Sequence, residues 1–315
     1  MLSFAYSLRK IKLEPSHIIV SSPSLFPAKI GRKLANRCKT KFLFEIRDIW
    51  SLTLMELSNI SDGNPFIAYM KLYERFAYRE ADYIISLLPT AKEYFIQEGM
   101  SSDKFIYLPN GIEVKPKKNI KLSKKVISQI PKDKFIIAYT GTVGIANNLD
   151  YLIDVANLLK SNNEIHFIVL GQGGEKNRLE NRVKELELNN FTFIDPISKD
   201  EVNSFLSYID ITFISLLPEK LFRFGVSPNK VFDYMYASKP IIWAIEAGNN
   251  LVKEANCGVS VSTNSPQQLK DIILNLNKLD KNELIKLGKN GYNFVINNHS
   301  YSELANRLIE VIEDK

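Results

Sequence analysis

Cysteine, histidine and tryptophan are all scarce in this 315-residue chain, at two, three and two copies. Cys38 and Cys257 stand far apart, which excludes a disulfide scaffold and a cysteine-rich zinc site. Such sparse usage fits a reducing compartment, so a cytoplasmic location is expected. His17, His166 and His299 are equally scattered. They give no metal-ligand spacing and no H-E-x-x-H pair, and no metal is expected. No apolar run approaches the roughly 18–20 residues of a membrane span. The opening MLSFAYSLRKIK puts its basic residues after a short apolar stretch, the wrong order for a signal peptide, so none is expected. Charge of one sign is not in large excess either. Forty-one Lys and Arg against thirty-five Asp and Glu leave +6. That suits phosphate-bearing ligands or an anionic membrane surface and is too little to argue for nucleic acid, which is not expected as a partner. Also missing are a G-x-G-x-x-G fingerprint, a G-x-S-x-G elbow, a Ser-His-Asp order and any D-x-D pair. Their absence argues against a dehydrogenase, a serine hydrolase and a metal-dependent sugar-nucleotide site.

What remains is an ordinary globular composition, 45% hydrophobic and 24% charged, long enough for two domains. Short apolar, β-rich runs alternate with amphipathic stretches. HIIVS (17–21), KFLFEI (41–46), DYIISL (82–87) and KFIYL (104–108) read as strands, with helices predicted over 28–37, 65–80 and 91–98. Pro109-Asn110-Gly111 breaks the rhythm, and VKPKKNIKLSKK after it reads as an exposed, lysine-rich connection. A second series begins at Phe135, with strands predicted at FIIAY (135–139), HFIVL (166–170), FTFI (191–194), ITFI (211–214) and PIIWA (240–244) and helices between and after them. Alternation of this kind predicts α/β architecture, two doubly wound parallel sheets in tandem. The expected domains are residues 1–112, a linker over 113–134, a second domain over 135–297, and a helix over 298–315 packing back towards the first domain.

In open α/β sheets ligands bind beyond the carboxyl ends of the strands. There the sequence places Thr140-Gly-Thr-Val-Gly144 and Gly171-Gln-Gly-Gly174. Glycine lets backbone N–H groups approach a phosphate at a helix start, although a tight turn with no ligand explains either segment equally well. FRFGVSPNKVFDYMYASKP (222–240) says more. Lys230 opens a helix and Asp233 lies one turn in. A helix N-terminus with Lys230 and Arg223 would stabilise a diphosphate, and a carboxylate at Asp233 can accept two hydrogen bonds from a vicinal diol. An ordinary helix start with Lys230 in solvent is the plainer alternative. In the first half, Glu45, Arg47 and Asp48 sit at or just past a strand end, where charges are cheap to solvate in a cleft and costly if buried unpaired.

These segments together resemble the retaining glycosyltransferases of family 4, of GT-B fold, and especially their bacterial capsule and O-antigen branch. The resemblance rests on FEIRDIW (44–50), YREADYIISL (78–87), LPNGIEV (108–114), YTGTVGIANNLDYLIDVANLL (139–159), VLGQGG (169–174) and SPNKVFDYMYASKPII (227–242), ordered as in the family. It implies two Rossmann-like domains facing across a cleft. It also implies metal-independent transfer, with retention, from a nucleotide sugar, UDP foremost, to a saccharide or lipid-linked acceptor in cell-surface polysaccharide biosynthesis. No cofactor is implied beyond the donor itself. Gly141 and Thr142 would lie by the donor phosphates, Gly171 and Gly173 would border the nucleotide, and Lys230 would touch the diphosphate. Asp233 would take the ribose, with Arg223, Ser227 and Asn229 in the same donor-binding loop. Arg47 and Asp48 would be the catalytic pair.

The chain departs from the family pattern in several places. Asp stands for Glu at 233, Gly225 replaces the first acid of the family's paired-Glu motif, and 142–148 lacks the usual Arg and Lys. Relatives carry a longer stretch before their Pro-Asn-Gly linker than the one preceding Pro109 here. The expectation is a first domain lacking its opening strands, from a truncated gene product or one half of a split enzyme with a separate amino-terminal partner. Loss of a central strand would uncover hydrogen-bonding edges. A catalytically inactive nucleotide-sugar-binding subunit is therefore the alternative reading. Peripheral contact with the cytoplasmic face of the inner membrane is a further expectation, since lysines near anionic lipid add attraction if they face it.

Overall fold

The computed structural model describes residues 14–58, 60–115, 120–263 and 265–313. MLSFAYSLRKIK and residues 116–119 of the lysine-rich run lie outside the described residues.

The apolar runs form parallel strands, as residues buried on both faces of a covered sheet must. β1 (His17–Ser21), β2 (Lys41–Ile46), β3 (Tyr83–Ser86) and β4 (Phe105–Tyr107) make a four-stranded sheet in the order β1-β2-β3-β4. The other sheet has six strands: β5 (Phe135–Thr142), β6 (Ile165–Gln172), β7 (Phe191–Ile194), β8 (Ile211–Ser215), β9 (Ile241–Ala244) and β10 (Gly258–Ser260). Their order, β10-β9-β8-β5-β6-β7, reverses direction between β5 and β8, the arrangement of a doubly wound sheet. The expected α/β class with two Rossmann-like parallel sheets is therefore what the chain adopts.

Helices Ala28–Cys38 and Pro65–Glu80 cover one face of the four-stranded sheet, burying Phe42, Phe44, Met70, Tyr78 and Ile84 together. The opposite face, Leu43, Ile85 and Ile106, is covered from the far end of the chain by Leu308 and Ile312 of helix Tyr301–Ile312. Lys41 Nζ donates to the Ile312 carbonyl at 2.7 Å. The chain crosses between the halves twice, and the crossings touch. The Ile112 amide donates to His299 O at 2.8 Å, and the Tyr301 amide donates to Ile112 O at 3.0 Å.

Four local differences from the sequence reading have physical causes. Helix Trp50–Leu57 was not predicted, because WSLTLMEL has no polar face to give a period. Three-residue β10 is too short to show one. β5 and β6 run on through the glycine segments at which they were expected to end. There Gly141 pairs with Gly171, and a Cβ on Gly171 would stand 1.9 Å from Gly141 O. The connection is not wholly exposed. Its described lysines are exposed, but Leu122, Val126 and Ile130, spaced four apart, are buried in the six-stranded half's core.

Candidate active site

The carboxyl ends of both sheets face one cleft. A cavity of about 240 Å³ lies between them, lined by Arg47, Asp48 and Leu87 from one half and by Leu216, Gly225 and Ser227 from the other, with Asn110 at the crossing.

Arg47 and Asp48 follow β2 directly. The Arg47 amide donates to the buried Ser22 hydroxyl at 2.9 Å. The chain then enters helix Trp50–Leu57, whose start is held from another helix. Glu74, only 3% exposed, accepts from the Ser51 amide at 3.1 Å and the Ser51 hydroxyl at 2.5 Å. Burial raises the Glu74 pKa, and its bonds from Ser51 oppose that shift. This borrowed cap fixes the backbone that presents Asp48. Burial against the cleft wall also raises the Asp48 pKa, and the adjacent Arg47 charge pulls it the other way.

Across the cleft, helix Asn229–Tyr236 begins after the polar loop. Its Lys230 turns back over β5. The ammonium donates to the Tyr139 hydroxyl and, at 3.1 Å, to Asn147 Oδ1, and it lies 4.1 Å from the centroid of the Tyr139 ring. A Cβ on Gly141 would stand 3.4 Å from Lys230 Cε, so Gly141 and Lys230 are neighbours. Burial lowers the Lys230 pKa from 10.5 to about 8. Thr142, exposed at the end of β5, accepts at its carbonyl from the Tyr139 hydroxyl at 2.6 Å. Asp233, one turn along the helix, has a raised pKa because it is largely buried, with the Lys199 charge opposing the shift. Asn229 is exposed at the helix start.

Gly171 and Gly173 lie on the same edge, where backbone crowding requires glycine: a Cβ on Gly173 would meet Val143 O at 2.1 Å. Ser227 is tied to the chain crossing. Its hydroxyl accepts from the Asn110 amide at 2.9 Å, and its carbonyl accepts from Asn110 Nδ2 at 2.7 Å. Gly225 has φ +96° and packs against Pro89, which explains why no acidic side chain occupies that position.

Arg223, expected with Lys230 at the diphosphate, makes a two-pronged ion pair with Glu56, at 2.8 and 2.9 Å, on the helix that follows Asp48. The reason is local packing. The turn Lys220–Phe224 is drawn into the four-stranded half, whose core takes up Phe224, while Thr90 donates to the Arg223 carbonyl at 2.7 Å. Reading the sequence also missed Tyr139, Asn147, Glu74 and Glu56. Asn110 alone carried a signal, in the Pro-Asn-Gly break.

Two parallel α/β sheets with their carboxyl edges facing across a cleft define a GT-B-like fold. Residues 120–294 match the family model described as Glycosyl transferases group 1, and the chain belongs to that family. A curated relative, the "Putative colanic acid biosynthesis glycosyl transferase WcaI" of Escherichia coli K12, is 25% identical over 235 residues, 70% of this chain. The chain spans 57% of that relative's length. Among solved structures, Anabaena Alr3699/HepE in complex with UDP matches with a TM-score of 0.71 at 15% identity, covering 100% of this chain and 82% of that one. Sucrose-phosphate synthase from Thermosynechococcus elongatus matches with a TM-score of 0.72 at 16% identity, covering 99% and 77%. At these identities the likeness is one of fold. Among the described residues, no helix is long and apolar enough to cross a membrane.

Proposed function

We propose that this chain transfers a sugar from a nucleoside-diphosphate sugar, UDP foremost, to a saccharide or lipid-linked acceptor in cell-surface polysaccharide synthesis. The observation that carries this reading is Lys230: a part-buried ammonium with neutral partners, at a helix start on the glycine edge, across the cleft from Arg47 and Asp48. The Lys230 charge and the helix N-terminus hold the diphosphate, with the dipole and the charge of the same sign. Gly141 and Thr142 let the backbone approach it. Gly171 and Gly173 border the nucleoside, Ser227 and Asn229 shape the loop, and Asp233 accepts from the ribose hydroxyls.

In the transfer, the bond from the anomeric carbon to the diphosphate oxygen breaks and a bond to the acceptor oxygen forms on the same face, with retention. The acceptor hydroxyl's proton passes to the leaving diphosphate. Asp48 orients that hydroxyl and Arg47 stabilises the charge nearby. Electrostatic stabilisation of the leaving group is the largest contribution such a site makes, and here Lys230 supplies it without a metal. The UDP-bound neighbours and the relative's assignment to colanic acid biosynthesis support the donor class and the pathway class.

The test is a panel of nucleotide sugars assayed for nucleotide release with mixed saccharide acceptors, alongside thermal unfolding with UDP, GDP and CMP. A ligand at 100 times its Kd adds about 2.7 kcal/mol of stability. Stabilisation by UDP together with UDP release is the expected result. Stabilisation without turnover favours a nucleotide-sugar-binding subunit. No effect of any nucleotide would sink both readings. Arg223→Ala is expected to leave UDP affinity within about threefold, under 1 kcal/mol. The exposed pair with Glu56 contributes at most about 1 kcal/mol to stability, which unfolding with and without UDP would check. We also propose a cytoplasmic location with peripheral membrane contact, on the strength of the acceptor class and the +6 charge; co-sedimentation with anionic vesicles tests the contact.

A further inference from the structure

We infer that Tyr139, assisted by Asn147, is a positioning residue for the donor: the two neutral oxygens hold the Lys230 ammonium on the glycine edge without neutralising it, leaving its charge for the incoming diphosphate. This rests on the reading of Lys230 as a diphosphate ligand.

Lysines taken out of water are ordinarily paired with a carboxylate. Among the described residues, no carboxylate lies within 4.0 Å of the Lys230 ammonium. Asp233 on the same helix has Lys199 as its opposing charge. Tyr234, also on that helix, is buried and accepts from the Thr140 amide at 2.8 Å. Tyr139, in direct contact with the ammonium, is titratable too, but it is fully buried in β5, where desolvation holds the phenol far above its ordinary range. It therefore stays neutral and cannot serve as a counter-ion.

The Tyr139 hydroxyl is nonetheless fixed in direction. Its proton goes to Thr142 O at 2.6 Å, which turns a lone pair towards Lys230, and the ring face adds a cation–π attraction. The Asn147 backbone is fixed as well: its main-chain N–H donates to Gly144 O at 3.0 Å, and its main-chain carbonyl accepts from Ser215 Oγ at 2.6 Å. An ammonium has three donors, and these partners use two. The third is left for an anion on the Gly141 edge. Positioning by neutral oxygens also implies that diphosphate binding favours the charged amine, so that above pH 8 the complex forms with proton uptake.

The experiment is calorimetric titration of UDP into the wild-type chain, Tyr139→Phe and Asn147→Ala at pH 7, 8 and 9, each in two buffers of different ionisation heat. The diphosphate is largely ionised over this range, its last pKa being about 6, and the uracil ring, which begins to lose its N3 proton at the top of the range, contributes equally to all three chains, so the difference between variants reports the amine. Wild type is expected to lose affinity as pH rises past 8 and to take up protons on binding at pH 9. Tyr139→Phe keeps the ring and is expected to bind about tenfold more weakly, the effect of losing one hydrogen bond to a charged group. Its loss of affinity should also set in at a lower pH, because the bare amine surrenders its proton sooner. Asn147→Ala should move both quantities the same way, and unfolding transitions would confirm that each variant is folded. A role in folding alone would not move the proton count or the pH midpoint. UDP binding by wild type, with Tyr139→Phe indistinguishable in affinity and pH dependence, would overturn this inference and leave the proposed function standing. Failure of wild type to bind UDP at any pH would overturn both.

Discussion

A Lys230→Gln chain is expected to bind UDP about 100-fold more weakly than wild type at pH 7, a loss of about 2.7 kcal/mol. The magnitude follows from the setting of the amine. A charged hydrogen bond is worth about 1.5–3 kcal/mol in partly dehydrated surroundings, and removing one partner of a buried ion pair costs about 3–5. Lys230 falls at the upper end of the first range, because its site is part-buried and opens onto the cleft. Glutamine keeps a neutral polar side chain at the same helix start, so the fold is expected to survive. The unliganded variant should be no less stable than wild type, since it no longer buries a cation that lacks a counter-ion.

The same residue sets a pH dependence of stability. Its pKa falls from 10.5 to about 8 on folding, so between those values the unfolded chain holds more protons than the folded one. Stability from this group therefore rises with pH across that window, while below about pH 8 the cost of the buried charge is fully present. Lys230→Gln should flatten that rise. UDP titration and unfolding from pH 7 to 10 would measure both effects. Wild-type affinity in the variant would remove Lys230 from the donor site.

Asp48→Asn is expected to reduce turnover about 100-fold while leaving UDP affinity unchanged, the scale on which a reacting hydroxyl that is no longer correctly oriented loses rate. Asparagine preserves shape and neutral hydrogen bonding, so the loss would report the carboxylate's charge. Burial raises the Asp48 pKa above its ordinary 3.8, and the rate should fall as acid protonates it. That acid limb should vanish in the variant. Turnover within about threefold of wild type, below 1 kcal/mol, would show that Asp48 only lines the cleft.

How much of this was legible in the sequence depended on the range of the interaction. Apolar runs such as FIIAY (135–139) and HFIVL (166–170) announce buried parallel strands by themselves. The helix starting at Asn229 followed from Ser-Pro-Asn-Lys. Gly171 was legible as a special position but not for its stronger reason, since close approach to Gly141 emerges only once β5 and β6 pair. Helix Trp50–Leu57 stayed hidden because its cap, Glu74, is 23 residues away. The Arg223–Glu56 pair spans 167 residues, so local chemistry could not show it. Tyr139 looked like any strand aromatic, because its hydroxyl acquires meaning only when the helix bearing Lys230 folds back over β5.

The measurement that most directly tests a donor site at Lys230 is a crystal structure of the chain with UDP. The diphosphate is expected within hydrogen-bonding distance of the Lys230 ammonium and the first turn of helix Asn229–Tyr236, with the ribose beside Asp233. UDP seated elsewhere, or Lys230 still bonded only to Tyr139 and Asn147 with the nucleotide present, would contradict it.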